Sequence, residues 1–492
     1  MPGQHPQADL FDTPPASPAP RRLGIGVDFG TSNSAVAIFD GERIELVALE
    51  HDSVTMPTAS YIDRQFQVCT GQEAINRYIA DNMGRKVELG VEVLGEGRSS
   101  TGQIGEHGLP EKAETHLVYG QAFVDSGEKG RLFRGVKRLL GQVDVPRLMV
   151  FEKAFRLVAL IAPILVRIRL AVQQALALRG PQWQANHACI GHPVNFEGRD
   201  EKHNEVAMER LAEACQHAGF AKRQFYPEPL AAALSYLHAS PHSRAKTLLA
   251  VDFGGGTLDL CVLKRDGTGF EVVAIHGIGL GGDHIDQTLF RELLFPLLGK
   301  GETWRRKGED RQIETLFPFE DYEELILNWA VSYMLNQNQY TTPVMQCMEQ
   351  PGEAGLKFRR LYELIKQNYS YLVFQGIKDM KAALSDQDEA VLDIPEIDVQ
   401  FTLSRARFEA LIAAQLQQFE QAVQDTLARA NMAPEQIDVI VSTGGSSLIP
   451  AVRQVLERLC PGRVEAHDPF TSVAAGLAIA EYEGRGVSDS RV

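Results

Sequence analysis

The chain of 492 residues is short of cysteine and of positive charge. Its six cysteines are scattered and form no CxxC pair, so the sequence indicates no zinc site and favours a reducing compartment. The net charge of −15 argues against a general binder of nucleic acid or of anionic membranes, because both partners are themselves anionic. We therefore expect a cytoplasmic protein with neither nucleic acid nor membrane as a partner.

Long hydrophobic runs are also missing. The most apolar run, Leu157–Val166, is closed by Arg167 and Arg169 and has about half the length of a membrane-spanning helix. A buried amphipathic helix of a soluble protein is the better interpretation. Residues 1–22 are rich in Pro, Gln and Ala, which predicts a disordered N-terminal tail and not a signal peptide.

One layout occurs twice, in Leu23–Phe39 and in Leu248–Leu263. Each segment has two apolar, β-rich runs around a turn of small polar residues, and each contains the string VDFG. Both predict a strand–turn–strand hairpin, and neither is a P-loop, because no Gly-Lys-Ser/Thr follows. Glycines in these turns would let backbone N–H groups approach a polyphosphate closely. They are Gly30, Gly254, Gly255 and Gly256.

Carboxylates and hydroxyls complete the two turns. Asp28 and Asp252 stand at the ends of the first strands, where they can hold water molecules of a Mg²⁺ shell. Thr31, Ser32 and Thr257 can add hydrogen bonds. Either turn alone is compatible with an ordinary Gly-rich hairpin. Two near-copies favour a pair of hairpins that face each other and grip a metal-bound polyphosphate from both sides.

Six further strings follow the first hairpin in a fixed order, and together with the two hairpins they resemble the ATPase domain of the 70-kDa heat-shock chaperones. The strings are FRGVKRLLG (Phe133–Gly141), IGHPVNF (Ile190–Phe196), EPLAAA (Glu228–Ala233), LGGDHID (Leu280–Asp286), VSTGGSSLIP (Val441–Pro450) and DPFTSVAAG (Asp468–Gly476). The resemblance spans Gly24 to Ala480. It implies an α/β protein of the two-lobed actin-like ATPase fold, with duplicated ribonuclease-H-like lobes, mixed five-stranded sheets flanked by helices, and nucleotide in the cleft.

The resemblance also divides the chain. Lobe I is expected at 23–245 with an inserted subdomain at about 56–130, and lobe II at 246–482 with an enlarged lid subdomain at about 284–380. A C-terminal tail, 483–492, follows. The Gly-rich string GEGRSSTGQIGEHG (95–108) predicts a flexible loop. Apolar residues at helical spacing in Thr315–Leu335 predict a lid core, with an exposed partner groove as the alternative.

ATP or ADP, Mg²⁺ and a further cation, K⁺, are the cofactors that the resemblance implies. Asp28 and Asp252 would flank the metal, and Asp252 would orient the attacking water. Lys137 would place positive charge near the γ-phosphate, and Glu228 would accept a hydrogen bond from a metal-bound water. Thr257 would contact the γ-phosphate region, and Asp259 would support the further cation. Without the resemblance, Lys137 is equally compatible with a surface lysine and Glu228 with a turn residue.

The remaining nucleotide contacts are carried over in the same way. The first turn would contribute Gly30, Thr31, Ser32 and Asn33, and the second would contribute Gly254, Gly255 and Gly256. The adenosine pocket would be formed by Gly282, Lys381, Ser385, Gly444, Gly445 and Ser446.

Departures from the family concentrate at the base end of this expected pocket. Lys378 replaces an acidic residue, Leu448 replaces the arginine that packs against adenine, and Phe470 replaces an acid. Leu230 and Asn33 stand where the family has threonine and an aromatic residue. We therefore expect nucleotide binding with altered adenine selectivity and slow hydrolysis.

Three functions fit these features. The leading one is a chaperone-type ATPase that opens and closes its lobes and signals to an unknown partner or client protein. After the last motif only a helix, Val473–Tyr482, and a polar tail remain, so we expect no peptide-binding domain. A small-molecule kinase of the same fold is the second possibility, although no sugar-kinase signature is present. A non-hydrolysing nucleotide-gated scaffold or an actin-like filament protein is the third.

Overall fold

The computed structural model describes residues 22–87, 89–99, 114–125, 127–180, 183–241, 243–266, 269–307, 312–468, 470–485 and 487–488. The predicted N-terminal tail lies outside these residues except for Arg22. The described part alternates strands and helices around two larger sheets, one in each half of the chain.

Strands and helices of the first half are given in chain order. The strands are β1 (Gly24–Phe29), β2 (Asn33–Phe39), β3 (Ile44–Leu46), β4 (Thr55–Pro57), β5 (Ala59–Asp63), β6 (Val68–Thr70), β7 (Leu89–Ser99), β8 (Glu114–Asp125), β9 (Gly130–Arg134), β10 (Arg147–Val150), β11 (Lys153–Arg156), β12 (His187–His192) and β13 (Lys222–Pro227). The helices are α1 (Gln72–Asn82), α2 (Leu157–Ala177), α3 (His203–Ala218) and α4 (Glu228–Ala239).

The second half continues the same numbering. Its strands are β14 (Thr247–Phe253), β15 (Leu258–Asp266), β16 (Gly269–Ile278), β17 (Thr303–Lys307), β18 (Gln312–Leu316), β19 (Glu389–Ile394), β20 (Val399–Ser404), β21 (Val439–Thr443), β22 (Val464–Ala466) and β23 (Val487–Ser488). Its helices are α5 (Gly282–Leu289), α6 (Glu320–Leu327), α7 (Asn338–Met348), α8 (Glu353–Gln367), α9 (Ser370–Asp386), α10 (Arg405–Leu411), α11 (Ala413–Arg429), α12 (Pro450–Leu459) and α13 (Ser472–Glu483).

The two large sheets repeat one topology, which confirms the predicted duplication. In the first, β1 pairs antiparallel with β2 and β2 with β3, while β12 and β13 extend the sheet in parallel from β1. In the second, β14, β15 and β16 are antiparallel, while β21 and β22 extend in parallel from β14. Each lobe therefore places a hairpin beside two parallel strands.

The first sheet is larger than the five strands expected. Strand β4 pairs with β2, and β23 pairs with β13 through Phe225 and Gln224. Part of the segment assigned to a C-terminal tail is thus an edge strand, so the tail prediction was wrong for Val487–Ser488. Two residues carry too little hydrophobic pattern to identify a strand from sequence.

Helix α2 is twice as long as the apolar run that predicted it. The helix continues past Arg167 and Arg169, because arginine is a good helix former and both side chains donate hydrogen bonds to carbonyl groups. Arg167 donates to the carbonyl of Leu49, and Arg169 donates to that of Ala218 at 2.7 Å. By length and composition alone α2 is long enough to cross a membrane, but 56% of its most apolar window is buried inside the lobe. The prediction of a buried helix is confirmed.

Two helices rich in small residues, α4 and α13, lie between the large sheets. They share one buried cluster with apolar side chains from both sheets, including Ala37, Cys189 and Val441. A Cβ at Gly476 would overlap the carbonyl oxygen of Ala231, and one at Gly26 would overlap that of Ala474. The EPLAAA and SVAAGLA strings therefore consist mostly of small residues, because the backbones of α4, α13 and β1 approach one another closely there.

The inserted segments correct one expectation and confirm another. Gly95–Ser99, at the start of the predicted flexible loop, belong to β7, which pairs with β8, and 100–113 lie outside the described residues. In the lid, Phe317, Phe319, Tyr322 and Trp329 are all buried. These aromatics are buried in a core cluster, as predicted, and do not form an exposed groove.

Candidate functional site

A cleft of about 900 Å³ lies between the two lobes, and the turns of both hairpins open into it. Every site residue predicted from the sequence lines this one cleft. They are Asp28, Gly30, Thr31, Ser32, Asn33, Lys137, Glu228, Asp252, Gly254, Gly255, Gly256, Thr257, Asp259, Gly282, Lys381, Ser385, Gly444, Gly445 and Ser446.

Asp28 and Asp252 face the same cavity from opposite lobes. Burial is the main cause that raises the pKa of Asp28, and the negative charge of Glu228 adds to it. Burial, followed by the charges of Asp259 and Glu228, raises the pKa of Asp252 to about 7. Carboxylates held this way in a cleft are destabilised unless a cation joins them.

Lys137 and Glu228 form a buried ion pair at the base of the cleft, with 2.6 Å between Nζ and Oε1. Lys137 lies on a short helical turn, Val136–Leu139, and Glu228 is the first residue of α4. The Lys137 side chain is only 6% exposed, so its interpretation as a surface lysine is wrong. Burial alone would lower the pKa of Lys137, but the charges of Glu228 and Asp28 outweigh it and raise that pKa. The ammonium group stays charged.

The second hairpin carries its own polar pair. Thr257 donates to a carboxylate oxygen of Asp259 at 3.0 Å, and Asp259 lies opposite Asp252 across the hairpin. Burial is the first cause that raises the pKa of Asp259 to about 6, while the bond from Thr257 opposes that rise. The two carboxylates thus share one end of the cleft.

At the base end, several residues predicted to bind the nucleotide also form bonds with other segments of the protein. The Ser446 hydroxyl donates to the carbonyl of Gly254 at 2.9 Å, and the amide of Gly282 donates to the same oxygen at 3.0 Å. Lys381 forms a 2.6 Å ion pair with Asp286, a fully buried carboxylate that sequence analysis did not single out. These bonds tie the second turn to α5 and α9.

Exposed apolar side chains replace the family's polar contacts beside this base end. Leu448 and Phe470 both line the cleft and are about half exposed. The Phe470 ring lies against Gly445, where an added Cβ would be 3.1 Å from the ring. A planar base would therefore meet an aromatic face and an aliphatic side chain here.

The residues present fit a nucleotide with a hydrated Mg²⁺. Four carboxylates, Asp28, Asp252, Asp259 and Glu228, line the phosphate end together with Lys137. Among the described residues, no group of three or more His, Cys, Asp or Glu side chains is arranged to hold a metal ion alone. Mg²⁺ bound mainly by water and phosphate oxygens requires no such cage. Gly30 and Gly256 leave no room for a side chain, since a Cβ at Gly30 would overlap the carbonyl of Asn33 and one at Gly256 would overlap the Arg138 guanidinium.

Arg138 is a cleft residue that sequence analysis missed. Its guanidinium lies 3.3 Å from Glu197 and reaches the second hairpin, where a Cβ at Gly256 would overlap it. Arg138 therefore joins lobe I to the turn of lobe II. The Lys-Arg pair in FRGVKRLLG was the available signal.

A second set of contacts joins the two lobes. The Tyr78 hydroxyl, on α1 of lobe I, donates to the carbonyl of Ala330 at 2.7 Å, and its ring packs edge-on against Trp329. Asn336 donates to the carbonyl of Arg85 at 2.8 Å. The inserted subdomain of lobe I is thus bonded to the lid of lobe II.

This duplicated fold, with a carboxylate at each hairpin turn of one shared cleft, defines a two-lobed protein of the actin-like ATPase class. The family model "Hsp70 protein" matches residues 148–302 and 372–482, a little over half of the chain. The chain belongs to the Hsp70 family. The first hairpin and Lys137 precede the matched residues, so their placement rests on the geometry described above.

Similar curated proteins cover almost the whole chain. Heat shock 70 kDa protein BIP3 of Oryza sativa subsp. japonica is 26% identical over 479 residues, which are 95% of this chain and 57% of that protein. Heat shock cognate HSP70 protein of Trypanosoma brucei brucei is 24% identical, with coverages of 92% and 55%. Chaperone protein dnaK3 of Thermosynechococcus vestitus is 23% identical, with 92% and 54%. The chain spans about half the length of these relatives.

Proposed function

We propose that the protein binds ATP or ADP with Mg²⁺ in the interlobe cleft and hydrolyses ATP slowly. The observation that carries this proposal is the convergence of Asp28 and Asp252, one from each lobe, on one glycine-lined cleft. Members of the Hsp70 family bind ATP or ADP with Mg²⁺ and interact with client proteins in general.

Each side chain would have a distinct task. Bound Mg²⁺ would supply charge neutralisation for the phosphates, where electrostatic stabilisation dominates phosphoryl transfer. Asp28 and Asp252 would hold its water ligands, and Asp252 would also orient the attacking water. Lys137, kept charged by its bond to Glu228, would stabilise the negative charge that develops near the γ-phosphate. Thr257 would contact the same region.

Relaxed base selectivity would follow from the residues at the base end of the cleft. Leu448 and Phe470 offer contact area but no hydrogen bond that distinguishes adenine from guanine. Asp259, beside Thr257, is the proposed K⁺ site.

A phosphate-release assay with purified protein tests the activity. ATP-dependent release that disappears with EDTA supports it, and release equal to a protein-free blank contradicts it.

Nucleotide-driven opening and closing of the lobes would signal to a partner protein. Opening of the lobes would break the interlobe contacts of Tyr78 and Asn336, so these contacts would slow nucleotide release. A cytoplasmic location remains part of the proposal. All six cysteines are free thiols, which supports a reducing compartment.

Tyr78→Phe is expected to increase the ADP dissociation rate about fivefold, the effect of losing about one hydrogen bond of ~1 kcal/mol across the cleft. The measurement is release of a fluorescent ADP analogue during a chase with unlabelled ADP. Tyr322→Phe is the matched control, because its hydroxyl donates to Tyr340 at 2.9 Å within the lid alone. Equal rates for both variants would show that the interlobe contact of Tyr78 does not limit release.

A further inference from the structure

A second, smaller cavity opens beside the nucleotide cleft. Its volume is about 190 Å³, and both lobes contribute to its walls. Lobe I provides Ser32, Asn33, Pro57, Gln72, Ile75 and Arg134, and the lid side provides Trp329, Tyr371, Phe374, Gln375 and Lys378. Three of these residues, Ser32, Asn33 and Lys378, also line the main cleft, so the two spaces are neighbours.

The charge of this side cavity is unusual for a chain of net charge −15. Its described lining includes two cations, Arg134 and Lys378, and no carboxylate. Cations elsewhere in the cleft are closely paired, as Lys137 and Lys381 are with acids at 2.6 Å. The side cavity is therefore a local site of positive charge.

Neither cation is neutralised by a close partner. Arg134 has no ion pair among the described residues, and its guanidinium lies 5.0 Å from the centre of the Trp329 ring. The Lys378 ammonium is 4.0 Å from a carboxylate oxygen of Asp283, which is beyond hydrogen-bond distance. Burial lowers the pKa of Lys378, and the charge of Asp283 only partly offsets this. The charge of Asp283 acts on both cations, but among the described residues no carboxylate lies within hydrogen-bond distance of either one.

We propose that this side cavity binds a phosphate-type anion between Arg134 of lobe I and Lys378 of lobe II. Guanidinium and ammonium groups form charge-assisted hydrogen bonds with phosphate oxygens, and the rings of Trp329 and Tyr371 form part of the cavity wall. Ser32 and Asn33 add a hydroxyl and an amide. The anion is either a free phosphate compound or an additional phosphate carried by the nucleotide itself.

Such an anion would regulate the cleft, and this consequence rests on the proposed nucleotide binding. Since its two cations come from different lobes, it binds the closed arrangement better than an open one. It therefore slows the release of ADP. The lysine at a position where the family has an acid then has a function, because an acid there would repel the anion.

The test uses the full chain loaded with ADP and Mg²⁺. Free pyrophosphate, at constant ionic strength, should slow ADP release about tenfold in the wild type, the effect of one charge-assisted hydrogen bond. ADP with a 3′-phosphate should bind about tenfold more tightly than ADP if the anion belongs to the nucleotide. Either effect supports the proposal and identifies the source. Absence of both in the wild type overturns it.

Substitutions locate the effect. Arg134→Gln should abolish it, Arg134→Lys should retain part of it, and the exposed Arg147→Gln should leave it intact. A pyrophosphate effect that persists in Arg134→Gln would place the anion at the γ-phosphate position and overturn the proposal. ADP affinity without pyrophosphate is measured in parallel. Failure of the wild type to bind ADP would refute the proposed function. Normal ADP binding with no anion effect would refute this inference alone.

Discussion

Lys137→Ala is expected to reduce the rate of ATP hydrolysis by about a hundredfold or more, the usual cost of removing one preorganised electrostatic contact from a transition state. The ammonium group lies at the base of the cleft, 2.6 Å from Glu228 and almost fully buried, so water cannot substitute for it easily. ADP binding should fall much less, because charge near the γ-phosphate matters most during its transfer. Single-turnover phosphate release and calorimetry with ADP measure the two effects.

Loss of the fold is the competing explanation for an inactive Lys137→Ala protein, because the substitution leaves Glu228 buried without its partner. The double variant Lys137→Met/Glu228→Gln removes both charges and should recover the thermal unfolding midpoint but not the activity. Lys222→Ala, at an exposed position of the same lobe, should behave as the wild type. Wild-type turnover by a folded Lys137→Ala protein would refute the assigned role.

Asp252→Asn is expected to abolish turnover and, at the same time, to stabilise the ligand-free protein. Burial and neighbouring carboxylates raise the pKa of Asp252 to about 7, above its ordinary value of 3.8. An acid whose pKa is raised by folding destabilises the folded state increasingly as pH rises between those two values, and fully above them. Asparagine lacks the charge, so its unfolding midpoint in EDTA at about pH 8 should exceed that of the wild type by a few degrees.

Loss of activity together with a gain in stability would distinguish Asp252→Asn from a variant that is inactive because it is unfolded. Mg²⁺ with ADP should raise the midpoint of the wild type and have little effect on the variant, since binding stabilises only the protein that binds. Asp144→Asn, at an exposed position of lobe I, is the matched control and should change neither property. Lower stability of the ligand-free Asp252→Asn protein would show that this carboxylate supports the fold and is not held ready for a cation.

Local sequence pattern was sufficient to predict the two hairpins. The repeated VDFG string and the apolar alternation around it predicted β1–β2 and β14–β15, and the structure confirms both. Resemblance to the family then identified which distant residues belong to the same site, from Asp28 to Ser446, and all of them line one cleft. Their chemical roles remain predictions.

Contacts between distant segments were beyond sequence reasoning. Lys137 and Glu228 are 91 residues apart, and Tyr78 and Ala330 are 252 apart, so only the folded chain brings each pair together. Arg134 was also missed, because a single cation at a strand end has no distinctive spacing. The full length of α2 and the edge strand Val487–Ser488 were not predicted for a different reason. Tertiary contacts stabilise each element beyond its local sequence signal.

Calorimetric titration with ATP, in Mg²⁺ and in EDTA, of the wild type and of Asp28→Asn and Asp252→Asn shows whether the two carboxylates hold one metal–nucleotide complex. One ATP should bind each wild-type chain in a Mg²⁺-dependent manner, and either substitution should remove that dependence, because the two carboxylates come from separate lobes and hold one metal. ATP binding that is equally strong in EDTA and in both variants would contradict a shared metal–nucleotide site.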